Sequence, residues 1–284
     1  MSAPHRASRN TTARRPYVKC FLDKAYSRII YHPRNKGHDV DFLFIHDAVI
    51  DPGEAWQCYS SAEIWPALLK EEFPTARVLI YQYKRNWIKT LDDIVNPEHL
   101  HKVSTDLFMF LSKKDIKSSV PLIVFAHGFG GLLYEQALVD SENQDHSGML
   151  HERTNTAFLF GTPHFGAGIA EWAIIMAQLH GFPCAKTAQG QDWSALEHHI
   201  TKIETMQRRL RQVLQKADSK PKITACFSTL GAPGLSPEWA ALPEYLPIAV
   251  DRAHSSMTMF HPKEQAFKAI MLILKTTVSQ ALQH

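Results

Sequence analysis

The chain has 284 residues, 45% of them hydrophobic and 21% charged, a composition that excludes a globally disordered, collagenous or disulfide-stapled protein. Its net charge of +3 is unevenly placed, because residues 1–19 contain Arg6, Arg9, Arg14, Arg15 and Lys19 and no acidic residue. The rest of the chain is nearly neutral and attracts a phosphate backbone only weakly, so we expect no nucleic-acid partner.

Residues 1–19 form a basic arm without an apolar face, which predicts a solvated, disordered tail. Its Arg, Ser and Thr content is also found in mitochondrial transit peptides, so a mitochondrial location stands as the alternative to a cytoplasmic one. The four cysteines are far apart and form no CxxC pair, which favours a reducing compartment over a disulfide framework or a zinc ribbon. No apolar run reaches the length of a spanning helix, so we expect no transmembrane segment.

Seven short segments have the apolar and β-branched composition of strands. They are residues 27–31, 40–45, 77–83, 121–126, 157–160, 222–227 and 246–250. Several are apolar at successive positions, which is typical of strands covered on both faces and so of a mostly parallel sheet.

Helical patterns alternate with these strands. Pro66 begins a short helix, and Asn96 followed by Pro97 supplies an N-cap and a first-turn proline. Apolar residues at helical spacing predict a long helix over residues 193–213 and a final one that Pro262 opens. This order predicts one doubly wound α/β domain over residues 20–284, with a small helical cap-like insertion at about residues 181–200.

One strand-to-helix junction has the pattern of a catalytic turn. The strand 121–126 runs into His127-Gly128-Phe129-Gly130-Gly131, and a helical segment follows. A strand, a tight glycine-rich turn and a helix form a nucleophile elbow, in which the turn residue is held above the sheet. At the position where a catalytic Ser is expected, this chain has Gly128.

The order of motifs resembles an α/β-hydrolase of the group that contains serine-active-site lipase-like proteins, GPI inositol-deacylase-like lipases and the hydrolase modules of fungal NACHT receptors. The matching segments are Asp41-Phe-Leu-Phe-Ile-His46, Ala76-Arg-Val-Leu-Ile-Tyr-Gln-Tyr83, Ala126-His-Gly-Phe-Gly-Gly131, Phe160-Gly-Thr-Pro-His164 and Asp251-Arg-Ala-His254. The resemblance covers about residues 27–280. It implies the α/β-hydrolase fold, with its doubly wound and mostly parallel sheet.

The chain departs from the family pattern at three positions. Gly128 replaces the nucleophilic Ser, Ser228 stands at the position of the catalytic acid, and Asp47 follows His46 where a glycine normally helps to form the oxyanion loop. Of the triad that the resemblance implies, only His254 is present. A glycine has no atom that attacks a carbonyl, so no acyl-enzyme can form at this position.

The resemblance assigns the remaining site residues to the pocket and its supports. His46, Asp47 and Phe129 would border the oxyanion site, and the backbone N–H of Phe129 would point at a developing oxyanion. His127 and His164 are expected to be packed, hydrogen-bonded histidines that support turns around the pocket.

Two functional hypotheses follow from these residues. The first is a protein that binds an apolar, acyl-containing small molecule or lipid and, if catalytic, uses His254 as a general base for direct hydrolysis or for lyase, cyclase or isomerase chemistry. The alternative is an inactive pseudo-hydrolase that acts as a ligand sensor or protein-interaction module. We expect no cofactor, and neither His99 with His101 nor His198 with His199 has the spacing of paired metal ligands on one helix face.

Overall fold

A computed structural model describes eleven stretches of the chain and the single positions 50 and 116. The stretches are residues 28–33, 37–48, 54–59, 63–83, 90–113, 119–142, 150–180, 193–216, 221–230, 237–240 and 244–282. The predicted basic arm, residues 1–19, lies outside them, as do residues 181–192 of the predicted cap-like insertion.

Seven strands form one sheet in the order β1-β3-β2-β4-β5-β6-β7. Their bounds are β1 Arg28–Tyr31, β2 Val40–Ile45, β3 Ala76–Tyr81, β4 Leu122–His127, β5 Thr154–Phe160, β6 Lys222–Ser228 and β7 Leu246–Val250. The edge strand β1 pairs antiparallel with β3, and every other pair is parallel. The predicted mostly parallel sheet is therefore confirmed, and it places the loops after β2, β4, β5, β6 and β7 along one edge.

Nine α-helices connect the strands within the described residues. They are α1 Leu69–Glu72, α2 Leu91–Val95, α3 Pro97–Leu111, α4 Phe129–Ser141, α5 Leu150–Arg153, α6 Phe165–His180, α7 Trp193–Lys216, α8 Pro237–Ala240 and α9 Gln265–Ala281. Single 3-10 turns at Trp65–Leu68 and His254–Ser256 precede α1 and follow β7. Among the described residues, no helix has both the length and the apolar character needed to cross a membrane.

The alternation of side chains along each strand divides the core between the two faces of the sheet. On β2, Leu43 and Ile45 pack with α3, α4, α6 and α7, whereas Phe42 and Phe44 pack with Trp65 and α9 on the other face. All six residues of β2 are buried, and so are all six of β3 and of β4. A sheet covered on both faces is the reason for the continuous apolar runs in the sequence.

The helix boundaries follow local capping chemistry. Asn96 caps α3, because its side-chain oxygen accepts from the backbone N–H of Glu98 at 2.9 Å, with Pro97 in the first turn as expected. One prediction needs correction: the last helix begins at Gln265, with Glu264 as its N-cap, and not at Pro262. Residues 193–200, which the expected cap-like insertion shares with the predicted long helix, form the first turns of α7.

Candidate functional site

The carboxyl ends of three strands bring the predicted site residues together. His46 and Asp47 follow β2, His127 ends β4 with Gly128 next to it, and His254 lies four residues after β7. All of these side chains are buried. Because the strands are parallel, segments far apart in sequence meet at this edge.

Gly128 forms the turn between β4 and α4. Its φ of 50° and ψ of −116° lie in a region that glycine enters at low cost and that strains other residues. Its N–H donates to the carbonyl oxygen of Phe160 at 2.8 Å, and α4 begins directly after it at Phe129. The predicted strand, turn and helix are thus present, and the turn residue has no side chain.

The carboxylate of Asp47 lies in the space beside Gly128. A Cβ atom built on Gly128 would lie 2.4 Å from Cγ of Asp47, 2.5 Å from Oδ2 and 2.6 Å from Oδ1. Non-bonded contacts of a Cβ atom in proteins are essentially never shorter than 3.0 Å. Position 128 therefore accepts no side chain while Asp47 keeps its conformation.

The Asp47 carboxylate makes three polar contacts around this space. Its Oδ1 accepts from the backbone N–H of Ala48 at 2.6 Å and of Phe129 at 3.0 Å, and its Oδ2 lies 2.9 Å from Nε2 of His254. We expected the Phe129 N–H to point at a developing oxyanion; it donates to this internal carboxylate instead.

The pKa of Asp47 shows that the carboxylate form is favoured despite its burial. Burial by itself raises the pKa, but the hydrogen bond from His254, the nearby imidazoles of His127 and His254 and the Phe129 N–H outweigh it. The net effect is a pKa below the ordinary value. The site therefore has a fixed negative charge at neutral pH.

His254 faces Asp47 through Nε2 and has no acid on its other nitrogen. Nδ1 has no hydrogen-bond partner among the described residues, and the ring packs against Gly161, where a Cβ would lie 2.7 Å from Nδ1. Oγ of Ser228 lies 2.5 Å from the carbonyl oxygen of Arg252 and 3.0 Å from that of Leu230. Within the described residues, Ser228 thus bonds to the backbone and not to His254.

His127 differs from what we expected of it. It is fully buried, with its ring 4.7 Å from that of His254, and neither ring nitrogen makes a hydrogen bond of ordinary length and angle within the described residues. Burial first, and then the proximity of His254, lowers its pKa to about 3, although Asp47 and a weak hydrogen bond with the backbone of His254 act in the opposite direction. We expected a packed, hydrogen-bonded histidine; the packing is present, and the hydrogen bonding is limited to this weak contact.

Asp47, His127 and His254 form a compact cluster of possible ligands. Each presents one donor atom, and these atoms all lie within 4.8 Å of one another. Among the described residues this is the group of His, Cys, Asp and Glu side chains close enough to share a metal ion. The sequence did not indicate it, because the three residues are spread over 208 positions of the chain.

His127 makes stability depend on pH. Between its ordinary pKa of 6.5 and its folded value of about 3, the unfolded chain binds a proton that the folded chain does not. Stability is therefore lost as the pH falls through this window, by up to about 1.4 kcal/mol per pH unit from this group. Asp47 acts in the same direction at lower pH, because its folded pKa is also depressed.

We expect urea unfolding in chelator-containing buffer to show this loss between pH 7 and pH 4.5, and His127→Phe to reduce it by about 2–3 kcal/mol. His101→Phe is the control, because His101 is 63% exposed. Parallel stability curves for the protein and for His127→Phe would contradict the assignment.

His46 and His164 position other groups. Nε2 of His46 accepts from the Tyr83 N–H at 3.3 Å, its Nδ1 lies 2.7 Å from the carbonyl oxygen of Asp47, and its ring stacks on Tyr83. Nε2 of His164 lies 3.0 Å from Oε1 of Glu135. Both contacts fix the backbone that surrounds the turn.

Glu135 is a buried acidic residue of the site that the motifs did not indicate. It is 1% exposed, and it also accepts from Gln207 of α7 at 2.9 Å. Its partners lie 29 and 72 positions away in sequence, so no local pattern indicates them.

Comparison with known proteins identifies the fold. The chain is similar to a carboxylesterase of the thaumarchaeon Nitrososphaera gargenis, with 12% identity, a TM-score of 0.50 and coverage of 90% of this chain and 95% of that one. Esterase B of Lactobacillus rhamnosis has 11% identity and a TM-score of 0.48, with coverage of 90% of this chain and 81% of that one. Monoglyceride lipase of Saccharomyces cerevisiae has 10% identity and a TM-score of 0.46, with coverage of 99% of each chain. No protein-family model and no curated protein sequence matches. The chain has the α/β-hydrolase fold, as predicted.

Proposed function

We propose that this chain, an α/β-hydrolase fold with an internal carboxylate at its catalytic edge, has lost serine-type acyl transfer and acts as a binding module. The observation that carries the proposal is the position of Asp47. Its carboxylate lies in the space that a nucleophilic side chain at position 128 would need, and it is hydrogen-bonded to Phe129 and His254. In this proposal, Gly128 marks the nucleophile position and Ser228 the acid position of a degenerate triad.

The Asp47 carboxylate also disfavours catalysis by direct water attack, in which no covalent intermediate forms. Stabilisation of an oxyanion needs donors aimed at the position where negative charge develops. Here Asp47 accepts from two such N–H groups, and its own charge would repel a second oxyanion. His254, which would serve as the general base, is bonded to Asp47 through Nε2. We therefore favour a pseudo-hydrolase over the alternative of direct water attack assisted by His254.

The ligand class that we propose for the module is an apolar, acyl-containing small molecule or lipid. Support comes from the aromatic side chains beside the turn: the ring of Phe129 lies 5.6 Å from that of Tyr83 and 6.5 Å from that of Trp172. These rings are buried in the hydrophobic core, so the surroundings of the turn are apolar on this side. Mass spectrometry of the protein purified under native conditions would identify a retained ligand.

A fluorophosphonate probe for serine hydrolases should not label the purified protein, because position 128 has no hydroxyl and Asp47 occupies its surroundings. Intact-mass measurement after incubation with the probe checks this, together with hydrolysis of short-chain and long-chain esters. An active serine esterase treated in parallel is the positive control, and the heat-denatured chain is the control for unspecific reaction. Stoichiometric labelling of the native chain on any serine would contradict the proposal.

A further inference from the structure

The polar groups at the carboxyl edge of the sheet include one that neither the fold nor the proposed function explains. His127 is completely buried, and neither of its ring nitrogens makes a hydrogen bond of ordinary length and angle among the described residues. Burial of an imidazole without partners is unfavourable, and a leucine or phenylalanine would fill the same space without this penalty. The position of His127 therefore calls for a partner of its ring nitrogens.

The groups around His127 have the composition of a transition-metal site. Two imidazoles and one carboxylate are ligands that Zn²⁺, Co²⁺ and Fe²⁺ accept, whereas Mg²⁺ and Ca²⁺ prefer oxygen ligands alone. The carboxylate of Asp47 is buried, and its low pKa keeps it charged. A divalent cation would neutralise this buried charge.

The distances allow one ion to contact all three side chains. Metal–ligand bonds of about 2.0–2.2 Å place ligand atoms about 3 to 3.5 Å apart around a tetrahedral or octahedral ion. Oδ2 of Asp47 and Nε2 of His254 are 2.9 Å apart, and the three donor atoms lie within 4.8 Å of one another. A side-chain rotation that brings all three donor atoms to about 3 to 3.5 Å from one another would complete the site.

The elements that hold the three residues are fixed by the sheet. His127 is the last residue of β4, which pairs with β2 and β5, and Asp47 lies two residues beyond the end of β2. His254 begins a 3-10 turn after β7. Ligands on rigid elements are preorganised, so the ion would not have to order a loop.

We propose that Asp47, His127 and His254 bind one divalent transition-metal ion of the Zn²⁺ type. The inference rests on the proposed function, in which the carboxyl edge of the sheet is a binding site and not an acyl-transfer site. It adds the metal ion as a ligand of that site. Three protein ligands leave the remaining coordination positions for water or for a small oxyanion such as a carboxylate.

The test is a titration of the metal-free full-length chain with Zn²⁺ by calorimetry and with Co²⁺ by visible absorption. The expected result is one ion per chain, Co²⁺ ligand-field bands, and a midpoint of thermal unfolding raised by about 3–5 °C at a Zn²⁺ concentration of 100 times Kd. Absence of binding to the unsubstituted chain would overturn the proposal.

The matched variants separate this site from surface histidines. His127→Phe keeps an aromatic ring beside His254 and should lower the affinity at least about 100-fold, with His127→Leu as a second variant of smaller volume. His101→Ala, at an exposed position, should bind as the unsubstituted chain does. Equal affinity of His127→Phe and His101→Ala would overturn the proposal. Probe labelling together with metal binding would reject the proposed function alone, whereas absence of both would reject the metal site alone.

Discussion

Gly128→Ser lowers the free energy of unfolding by about 3 kcal/mol, because two unfavourable effects add. A side chain at φ 50° and ψ −116° strains the backbone by about 1–3 kcal/mol. Its Cβ also requires the Asp47 carboxylate, 2.4–2.6 Å away, to leave its hydrogen bonds with Phe129 and His254. Urea unfolding of the two proteins measures the difference. If the backbone strain of the turn were the only effect, we would expect the free energy of unfolding to fall by about 1 kcal/mol.

A double-mutant cycle assigns the second effect to Asp47. In the background of Asp47→Gly, the same Gly128→Ser change should cost only about 1 kcal/mol, which gives a coupling of about 2 kcal/mol. Gly37→Ser is the control for a glycine without neighbours, because no atom lies within 4 Å of a Cβ built there. Additive effects of the Asp47 and Gly128 substitutions would mean that the carboxylate does not occupy the space beside the turn.

Restoration of serine chemistry should require three substitutions. Gly128→Ser supplies a nucleophile, Asp47→Gly frees the Phe129 N–H and Nε2 of His254, and Ser228→Glu supplies a carboxylate at the acid position. We expect fluorophosphonate labelling and esterase activity in the triple variant. The variant that lacks only Ser228→Glu should be slower by roughly 10⁴-fold, because no acid then orients His254 and stabilises its cation.

The informative controls are the variants that keep Asp47. Gly128→Ser alone, and Gly128→Ser with Ser228→Glu, should remain unlabelled, since the carboxylate still competes for His254 and Phe129. Labelling of either of them, measured by intact mass, would show that Asp47 does not block the site. Activity of the variant without Ser228→Glu at the level of the triple variant would show that another carboxylate serves as the acid. Asp251 is exposed and accepts from Oγ1 of Thr229, so it does not face the buried ring of His254 as an acid would.

The sequence predicts the sheet well because a strand buried on both faces has a local signature. All seven strands lie where apolar runs predicted them, with ends that differ by up to three residues. The helix α6 had no such signature: besides Ile169, Trp172, Ala173 and Met176 on one face, Ile175 and Ala177 are buried and Ile174 is 38% exposed, so apolar residues occupy several sides of the helix and leave no distinct apolar stripe. The long helix α7 was predicted because it has one buried face, and its apolar residues therefore form a clear stripe.

At the site, the sequence identifies the residues but not their contacts. The motifs indicated Asp47, Gly128 and His254 one at a time, as departures from or matches to a pattern. Their mutual contacts span 82 and 207 positions and are set by the order of strands in the sheet. One signal was available in the resemblance: its pattern has a glycine at the position of Asp47 and a serine at the position of Gly128. Such a paired exchange of volume indicates that the two positions touch.

The contact between Asp47 and Gly128 also restricts how this sequence can change over evolutionary time. A serine that arises at position 128 meets the carboxylate, and a glycine that arises at position 47 leaves the N–H groups of Ala48 and Phe129 and the His254 ring without their acceptor. Each first step lowers stability, and each substitution costs about 2 kcal/mol less once the other is present. The two positions are therefore epistatic, and a serine at position 128 is tolerated better after Asp47 has changed than before. The order in which the two substitutions arise thus decides how much stability the chain loses on the way.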